Sequence, residues 1–386
     1  MHIWDKNTYL MPMKKQFIKN MVYREWLPIV MGILWLLSSL CFHRIPSYSE
    51  DEFRVVAILF SLLVITRPLM RQGNFSGLFN RLNLFGHTVS FLVVVVFFSS
   101  AFVTNDVALL LAIPFVFVYL PRKAGLLIPL LAAAANCGSV ISPIGNPQNL
   151  FIFSRYHMRL SMFSGEMFFF WAVCFLILIF IALRIDALVS KEKPSPGSIA
   201  VERQIGGKSV GFVFILYSLF LLLVILVVLR VLPLYALIFP VAYFLFFNRA
   251  AFMVDYGLLL CFIFAFGISD NIIQNLNLGP AHIDKASGFL KAVFLSQILN
   301  NVPVTIFLSD LNANWQGLLW GGNVGGFGFL SASFVNFIAY RAFSFYAGNR
   351  NHAEFWRSYI ATNLLFLAVG FLLFFLTAPS SRPYWQ

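Results

Sequence analysis

Two stretches of this chain, residues 136–149 and 323–336, interrupt long apolar runs with the same sparse set of small and polar residues. The first reads Asn136-Cys-Gly138-Ser-Val-Ile-Ser142-Pro143-Ile-Gly145-Asn146-Pro147-Gln148-Asn149. The second reads Asn323-Val-Gly325-Gly326-Phe-Gly328-Phe-Leu-Ser-Ala-Ser333-Phe-Val-Asn336. Superposed without a gap, Asn136 falls on Asn323, Gly138 on Gly325 and Asn149 on Asn336. Each stretch follows a second polar island, Thr104-Asn105-Asp106 in one half and Asn300-Asn301-Val302-Pro303 in the other. Backbone groups freed by Gly or Pro at membrane depth must be satisfied inside the protein. Such interruptions therefore restrict the fold to broken helices and re-entrant turns buried among other helices.

The surrounding composition makes membrane depth the relevant setting. The chain has 386 residues, 60% of them hydrophobic and 11% charged. A soluble domain carries about 25% charged residues, so this chain cannot clothe a globule in water-compatible surface. Its 46 phenylalanines suit side chains that face lipid. The net charge of +12 is spread over the ends of apolar segments. That distribution fits cytoplasmic loops of a membrane protein and argues against nucleic-acid binding. Cys41, Cys137, Cys174 and Cys261 lie in or beside apolar runs with no metal-ligand or disulfide spacing, so free thiols are expected. No cleavable signal peptide is evident in the basic first 25 residues.

A spanning helix needs roughly 20 mostly apolar residues. Segments 26–43, 53–70, 162–184, 210–229, 231–247, 250–268 and 354–377 meet this, and 122–155 and 315–343 read as broken helices. Stretches 87–120 and 286–312 read as re-entrant hairpins with the polar islands at their tips. The expected organisation is a basic segment 1–25, a first half 26–189, a linker 190–209 containing Lys-Pro-Ser-Pro-Gly, a second half 210–377 and a tail 378–386. With the N-terminus cytoplasmic, the basic loops fall inside and Glu50, Asp51 and Glu52 fall outside, although Arg155 and Arg159 also fall outside. The halves then run in opposite senses. The fold expected is an all-α polytopic membrane protein of inverted repeats, each with a re-entrant hairpin and a broken helix.

A helix broken in mid-membrane offers N–H groups at one new end and carbonyls at the other, which favour anions and small cations respectively. Paired interruptions in corresponding places point to a transporter site at a repeat interface. Asn136, Gly138, Ser142, Gly145, Asn146 and Asn149 are the first-half candidates, and Asn323, Gly325, Gly326, Ser333 and Asn336 their second-half counterparts. Asp106 is the sharpest single residue: an ionisable group at membrane depth is costly, and its counterpart in the other half is Asn300 or Asn301. It is read as a cation ligand or a proton carrier. His87, His157, His282 and His352 are read as interfacial polar groups, Asp270 as a helix-end residue following the run 257–268, and Trp26, Trp171 and Trp356 as an aromatic belt. No enzyme signature and no cofactor motif is present.

The run Ser142-Pro143-Ile-Gly145-Asn146-Pro147-Gln148-Asn149 resembles the signature of the ion transporter superfamily, which includes arsenite permeases, NhaD-type sodium/proton antiporters, citrate transporters and divalent-anion/sodium symporters. Asn300-Asn301-Val302-Pro303 resembles its second hairpin tip, and Gly322-Asn323-Val324-Gly325-Gly326 its second broken helix. The resemblance implies a transport domain carried past a dimeric scaffold in an elevator-like motion. It implies binding by Thr104, Asn105 and Asp106, by Ser142, Gly145, Asn146 and Asn149, by Asn300, Asn301 and Val302, and by Gly325, Ser333 and Asn336. A sodium ion would sit among Asn105, Asp106, Gly145 and Asn301.

Three departures shift the expectation from a dicarboxylate to a smaller anion, inorganic, arsenite-like or carboxylate. Asp106 stands where symporters have threonine. Phe329 falls opposite Ser142 and is expected to narrow that half of the site. Ser333-Phe334-Val335-Asn336 lacks the prolines of the first copy. The reading is a secondary active transporter of a small anion in the inner membrane, a homodimer in the bilayer, driven by sodium or protons. The alternative is a sodium/proton antiporter with Asp106 as the exchanging carboxylate.

Overall fold

The computed structural model describes residues 26–72, 88–189, 211–254, 256–275, 283–347 and 352–377. The basic segment 1–25, the linker 190–209, the tail 378–386, His87 and His282 lie outside the described residues. Among those described, the architecture is helical: α1 Trp26–Cys41, α2 Glu50–Gln72, α3 Thr88–Ser99, α4 Asn105–Tyr119, α5 Ala124–Ser139, α6 Pro147–Arg155 and α7 Leu160–Val189. The second half supplies α8 Phe212–Val228, α9 Ile238–Phe247, α10 Tyr256–Asn275, α11 Lys285–Leu299, α12 Asn301–Asp310, α13 Trp315–Val324, α14 Phe334–Ala347 and α15 His352–Thr377. Helices α7 and α15 are each long and apolar enough to cross a bilayer. The expected hairpins are α3–α4 and α11–α12, and the expected broken helices are α5–α6 and α13–α14.

Local chemistry explains each interruption. Helix α5 stops at Ser139; Asn146 then caps α6 by accepting from the Asn149 N–H at 2.9 Å, with Pro147 in the first turn where no backbone donor is needed. The second break passes through Gly328 at φ +133°, a region that side-chain-bearing residues avoid. The second hairpin turns on the single residue Asn300, at a positive φ of 78° that residues with a side chain seldom adopt, and its side chain accepts from Val302 N–H at 3.2 Å.

Two groups of helices emerge from the packing. Helices α1, α2, α8, α9 and α10 form one, with α1 against α10 and α2 against α8. The hairpins and broken helices form the other, in which α5 is covered by α3, α4, α14 and α15. Helix α7 holds the start of both hairpins through carboxylates near its two ends. Asp186 accepts from the N–H groups of Val89 and Ser90 at 2.8 and 2.9 Å, and Glu166 accepts from Lys285 Nζ at 3.1 Å, Gln316 Nε2 at 2.7 Å and Trp320 Nε1 at 2.9 Å.

One expectation is corrected. Helix α10 begins six residues later than the expected segment 250–268 and continues to Asn275, so Asp270 lies within it rather than after it. The polar residues that suggested its end find tertiary partners instead: Ser269 donates to Asp310, Ser47 to Asp270 and Asn271 to Ser38 and Ser39. Trp171 of α7 packs among Phe97, Phe98, Phe168 and Phe175.

The two shared glycines work as close-approach sites. A Cβ at Gly138 would lie 1.9 Å from the Phe97 carbonyl oxygen and 2.5 Å from Ser100 Oγ, whereas one at Gly165 would meet nothing within 4 Å. Gly138→Ala is therefore expected to cost about 1–3 kcal/mol, read as a lowered melting temperature of the purified protein. Gly165→Ala should leave that temperature unchanged or raise it.

Candidate functional site

The N-termini of four helices meet at one crevice. Its walls are Asn105 and Asp106 opening α4, Pro147 and Gln148 opening α6, Asn301 and Val302 opening α12, and Phe334 and Val335 opening α14 behind Ser333. Leu258 of α10 and Ile338 of α14 complete it. About 30 Å³ is open to the centre of a water-sized sphere, room for roughly two waters or one small ion. Each helix N-terminus carries about half a positive charge. Four of them sum to roughly +2 before screening, against the single negative charge of an ionised Asp106.

Asparagine amides bind the two halves together beside this crevice. Asn136 Nδ2 donates to Asn336 Oδ1 at 3.4 Å, and Asn323 Nδ2 donates to Asn149 Oδ1 at 2.8 Å. Exchanging each residue for its partner in the gapless superposition turns the first pair into the second. The same exchange relates Asn149 Nδ2, 3.3 Å from the Ser139 carbonyl, to Asn336 Nδ2, 2.9 Å from the Gly326 carbonyl. Asn146 Nδ2 also reaches Asn323 Oδ1 at 3.0 Å, and Asn105 Nδ2 reaches Asn136 Oδ1 at 3.0 Å. Amides suit this place because each supplies both donor and acceptor without carrying a charge into a buried setting.

The sequence candidates divide by position. Asn105, Asp106, Asn301, Val302 and Ser333 line the crevice, and Asn136, Asn146, Asn149, Asn323 and Asn336 form the amide lattice around it. Gly145 accepts the Asn105 N–H at 2.9 Å through its carbonyl, Asn301 Nδ2 donates to the Gly322 carbonyl at 3.0 Å, and Ser142 Oγ accepts from Ile144 N–H at 3.1 Å. Thr104 is buried, and its hydroxyl has no hydrogen-bond partner. Gly138, Gly325 and Gly326 border the breaks without lining the crevice, and Asn300 Nδ2 instead ties the hairpin tip to the Ser331 carbonyl at 3.0 Å. Phe329 is 69% exposed and turns away from the crevice, so it does not narrow the site. Its N–H is held by Gln297 Oε1, which fixes the loop with the ring outward.

Sequence reading missed Pro147, Gln148, Leu258, Phe334, Val335 and Ile338. Gln148 and Val335 were within reach, since each follows a capping Asn146 or Ser333 by two residues. Leu258 comes from a distant helix and carried no local signal. Among the described residues no group of three His, Cys, Asp or Glu side chains gathers to hold a metal.

Away from the crevice, polar ties join the two helix groups and brace the group of hairpins and broken helices. Ser269 of α10 donates to Asp310 at the end of α12, and Arg155 at the end of α6 lies 3.5 Å from the same carboxylate. Arg230 donates to the Ser154 carbonyl at 2.9 Å. Tyr156, in the connection after α6, donates to the Ala313 carbonyl at 2.7 Å, and burial pushes its pKa up to about 12. Its hydroxyl therefore remains a donor throughout the physiological range.

Helical architecture, paired interruptions and a crevice of helix ends define an integral membrane transporter, and comparison with known proteins agrees. Residues 21–325 match the sequence pattern of the citrate transporter family. An uncharacterized transporter of Methanocaldococcus jannaschii is 31% identical over 324 residues, 81% of this chain and 87% of that protein. An inner membrane protein of Escherichia coli K12 is 29% identical over 313 residues, 75% of this chain and 80% of that protein. The chain belongs to the citrate transporter family, within the ion transporter superfamily, and is a transporter rather than an enzyme.

The mirrored contacts predict matched losses. Asn149→Ala and Asn336→Ala each remove an amide donor from a buried carbonyl at a break and an amide from the pairs across the halves, a cost of about 1–3 kcal/mol. Thermal unfolding in detergent should show comparable drops for the two variants. A large drop for one and none for the other would contradict the symmetry of the lattice.

Proposed function

We propose that this chain is a secondary active transporter of a small anion, coupled to a proton or sodium gradient through Asp106. The observation that carries the reading is the convergence of four helix N-termini on one crevice. No Lys or Arg occurs in residues 132–153 or 292–340, so helix ends and amides are the anion-attracting groups available there.

The charge balance links anion and cation. With Asp106 ionised, the crevice retains roughly one net positive charge, enough for a monoanion near a repelling carboxylate. A bound anion favours the neutralised form of Asp106, and by linkage a neutral Asp106 favours the anion. A proton on Asp106, or a sodium ion beside Asn105, Asp106 and Asn301, would serve. Gly145 supports a cation less directly, because its carbonyl already accepts from Asn105 N–H.

The two halves are inverted repeats in this reading, supported by the exchange-related amide pairs. The halves are residues 26–189 and 210–377, joined by the cytoplasmic linker 190–209. Helices α1, α2, α8, α9 and α10 act as the scaffold, in a homodimer embedded in the inner membrane with a cytoplasmic N-terminus. The hairpins and broken helices slide past that scaffold as an elevator, which requires breaking the ties of Ser269 to Asp310 and Arg230 to Ser154. The position of Asp106 in the crevice also favours a second reading, a sodium/proton antiporter that exchanges ions at this carboxylate.

Reconstituted proteoliposomes separate the two. Uptake of small oxyanions and carboxylates, arsenite included, should follow an imposed proton or sodium gradient. Asp106→Asn should slow that uptake at least about tenfold and flatten its dependence on pH or sodium. Unchanged rate and unchanged dependence would remove Asp106 from coupling. Dissipation of a pH gradient by sodium or lithium with no anion present would replace the anion reading with the antiporter.

A further inference from the structure

The two halves differ at one place that the repeated pattern does not mark. In each hairpin the first arm presses a serine against the glycine at the facing break: Ser100 lies against Gly138 and Ser296 against Gly325. The residue after that serine is Ala101 in the first half and Gln297 in the second. Gln297 reaches into the second break. Its Nε2 lies 3.0 Å from the Val293 carbonyl oxygen, 3.0 Å from that of Gly325 and 3.2 Å from that of Phe327. Its Oε1 accepts from Phe329 N–H at 3.0 Å, and Ser331 Oγ donates to the backbone carbonyl of Gln297 at 2.7 Å.

Three carbonyl oxygens around one nitrogen exceed what an NH₂ group, with two hydrogens, can satisfy with linear bonds. The arrangement resembles a monovalent cation's oxygen shell with the amide nitrogen at its centre. Gly328 makes room for it, since a Cβ there would come within 2.0 Å of Gln297 Oε1. Ala101 places no polar group at the corresponding position. Close by in that half stands Thr104, whose buried hydroxyl lacks a partner, and two residues further Asp106.

We propose that the Gln297 carboxamide takes the place of a cation at the second break, so that the exchangeable coupling ion is confined to the crevice around Asp106. A permanent amide donor costs the cycle nothing to load or release. It fixes α11 to the second break as one rigid piece, while the crevice around Asp106 retains the ion-dependent step. The proposal rests on the reading of the two breaks as paired half-sites of one transporter, and its test measures ion binding without transport.

The test is thermal unfolding of the purified full-length protein in sodium, lithium, potassium or N-methyl-D-glucamine chloride. Gln297→Ala removes the amide and leaves the three carbonyls facing a vacancy. Gln297→Glu keeps the length and replaces the donor by a carboxylate. Both variants should be less stable than wild type in N-methyl-D-glucamine. Both should recover part of the loss on adding sodium or lithium, with a saturable rise in melting temperature larger than that of wild type. Equal destabilisation in every salt would overturn the proposal and leave Gln297 a structural strut. Failure of both variants to accumulate in sodium-rich medium would overturn it as well, because sodium is expected to rescue them. Wild-type stability of Gln297→Glu in N-methyl-D-glucamine would do the same.

Discussion

The structure depends on satisfying backbone groups where helices stop inside an apolar environment. Four helices, α3, α5, α11 and α13, end beside the crevice and four others, α4, α6, α12 and α14, begin there, and their freed N–H and carbonyl groups have no water to turn to. Asparagine solves this with one side chain per several backbone groups: Asn149 reaches the carbonyls of Ser139 and Ser142, Asn336 that of Gly326, and Asn146 caps α6. The same amides then bond to one another across the halves, so that stabilising the breaks also fixes their mutual position.

Function follows from what remains after that satisfaction. Carbonyls at the breaks are largely taken by amides and hydroxyls, including the Gly328 carbonyl by Tyr359 and that of Ile141 by Ser164. The helix N-termini are left facing the crevice, and these are positive ends. Small residues keep the assembly tight enough for this geometry: at Gly138 and Gly325 the hairpin arms come closer than any side chain would allow. Asp106 is the single carboxylate among the crevice residues, which is why the proposed coupling is assigned to it.

Much of this was legible in the sequence, and the reason is physical. Gly, Pro and Asn inside an apolar run are costly unless the chain breaks there, so the hairpins at Asn105 and Asn300 and the breaks at Gly145 and Gly325 could be placed to within a few residues. The gapless superposition of Asn136 on Asn323 and Asn149 on Asn336 anticipated residues that meet across the halves. Three-dimensional facts were less visible. Beyond residue 268 of α10, Ser269, Asp270 and Asn271 find partners far off in sequence, at the end of α12, in the α1–α2 connection and in α1. Gln297 is one of several polar residues in its arm, and its meaning appears only when the second break folds around it. Phe329 fell opposite Ser142 on paper, but the loop from Gly328 turns its ring outward.

The central claim is that both halves contribute to one alternately exposed crevice. Single cysteines at positions 148 and 334, in a background with Cys41, Cys137, Cys174 and Cys261 replaced, test it directly. A membrane-impermeant thiol reagent should reach both positions from the same side, and conditions that change the exposed side should change it for both. Position 148 reacting only from one side and position 334 only from the other, under all conditions, would contradict the account.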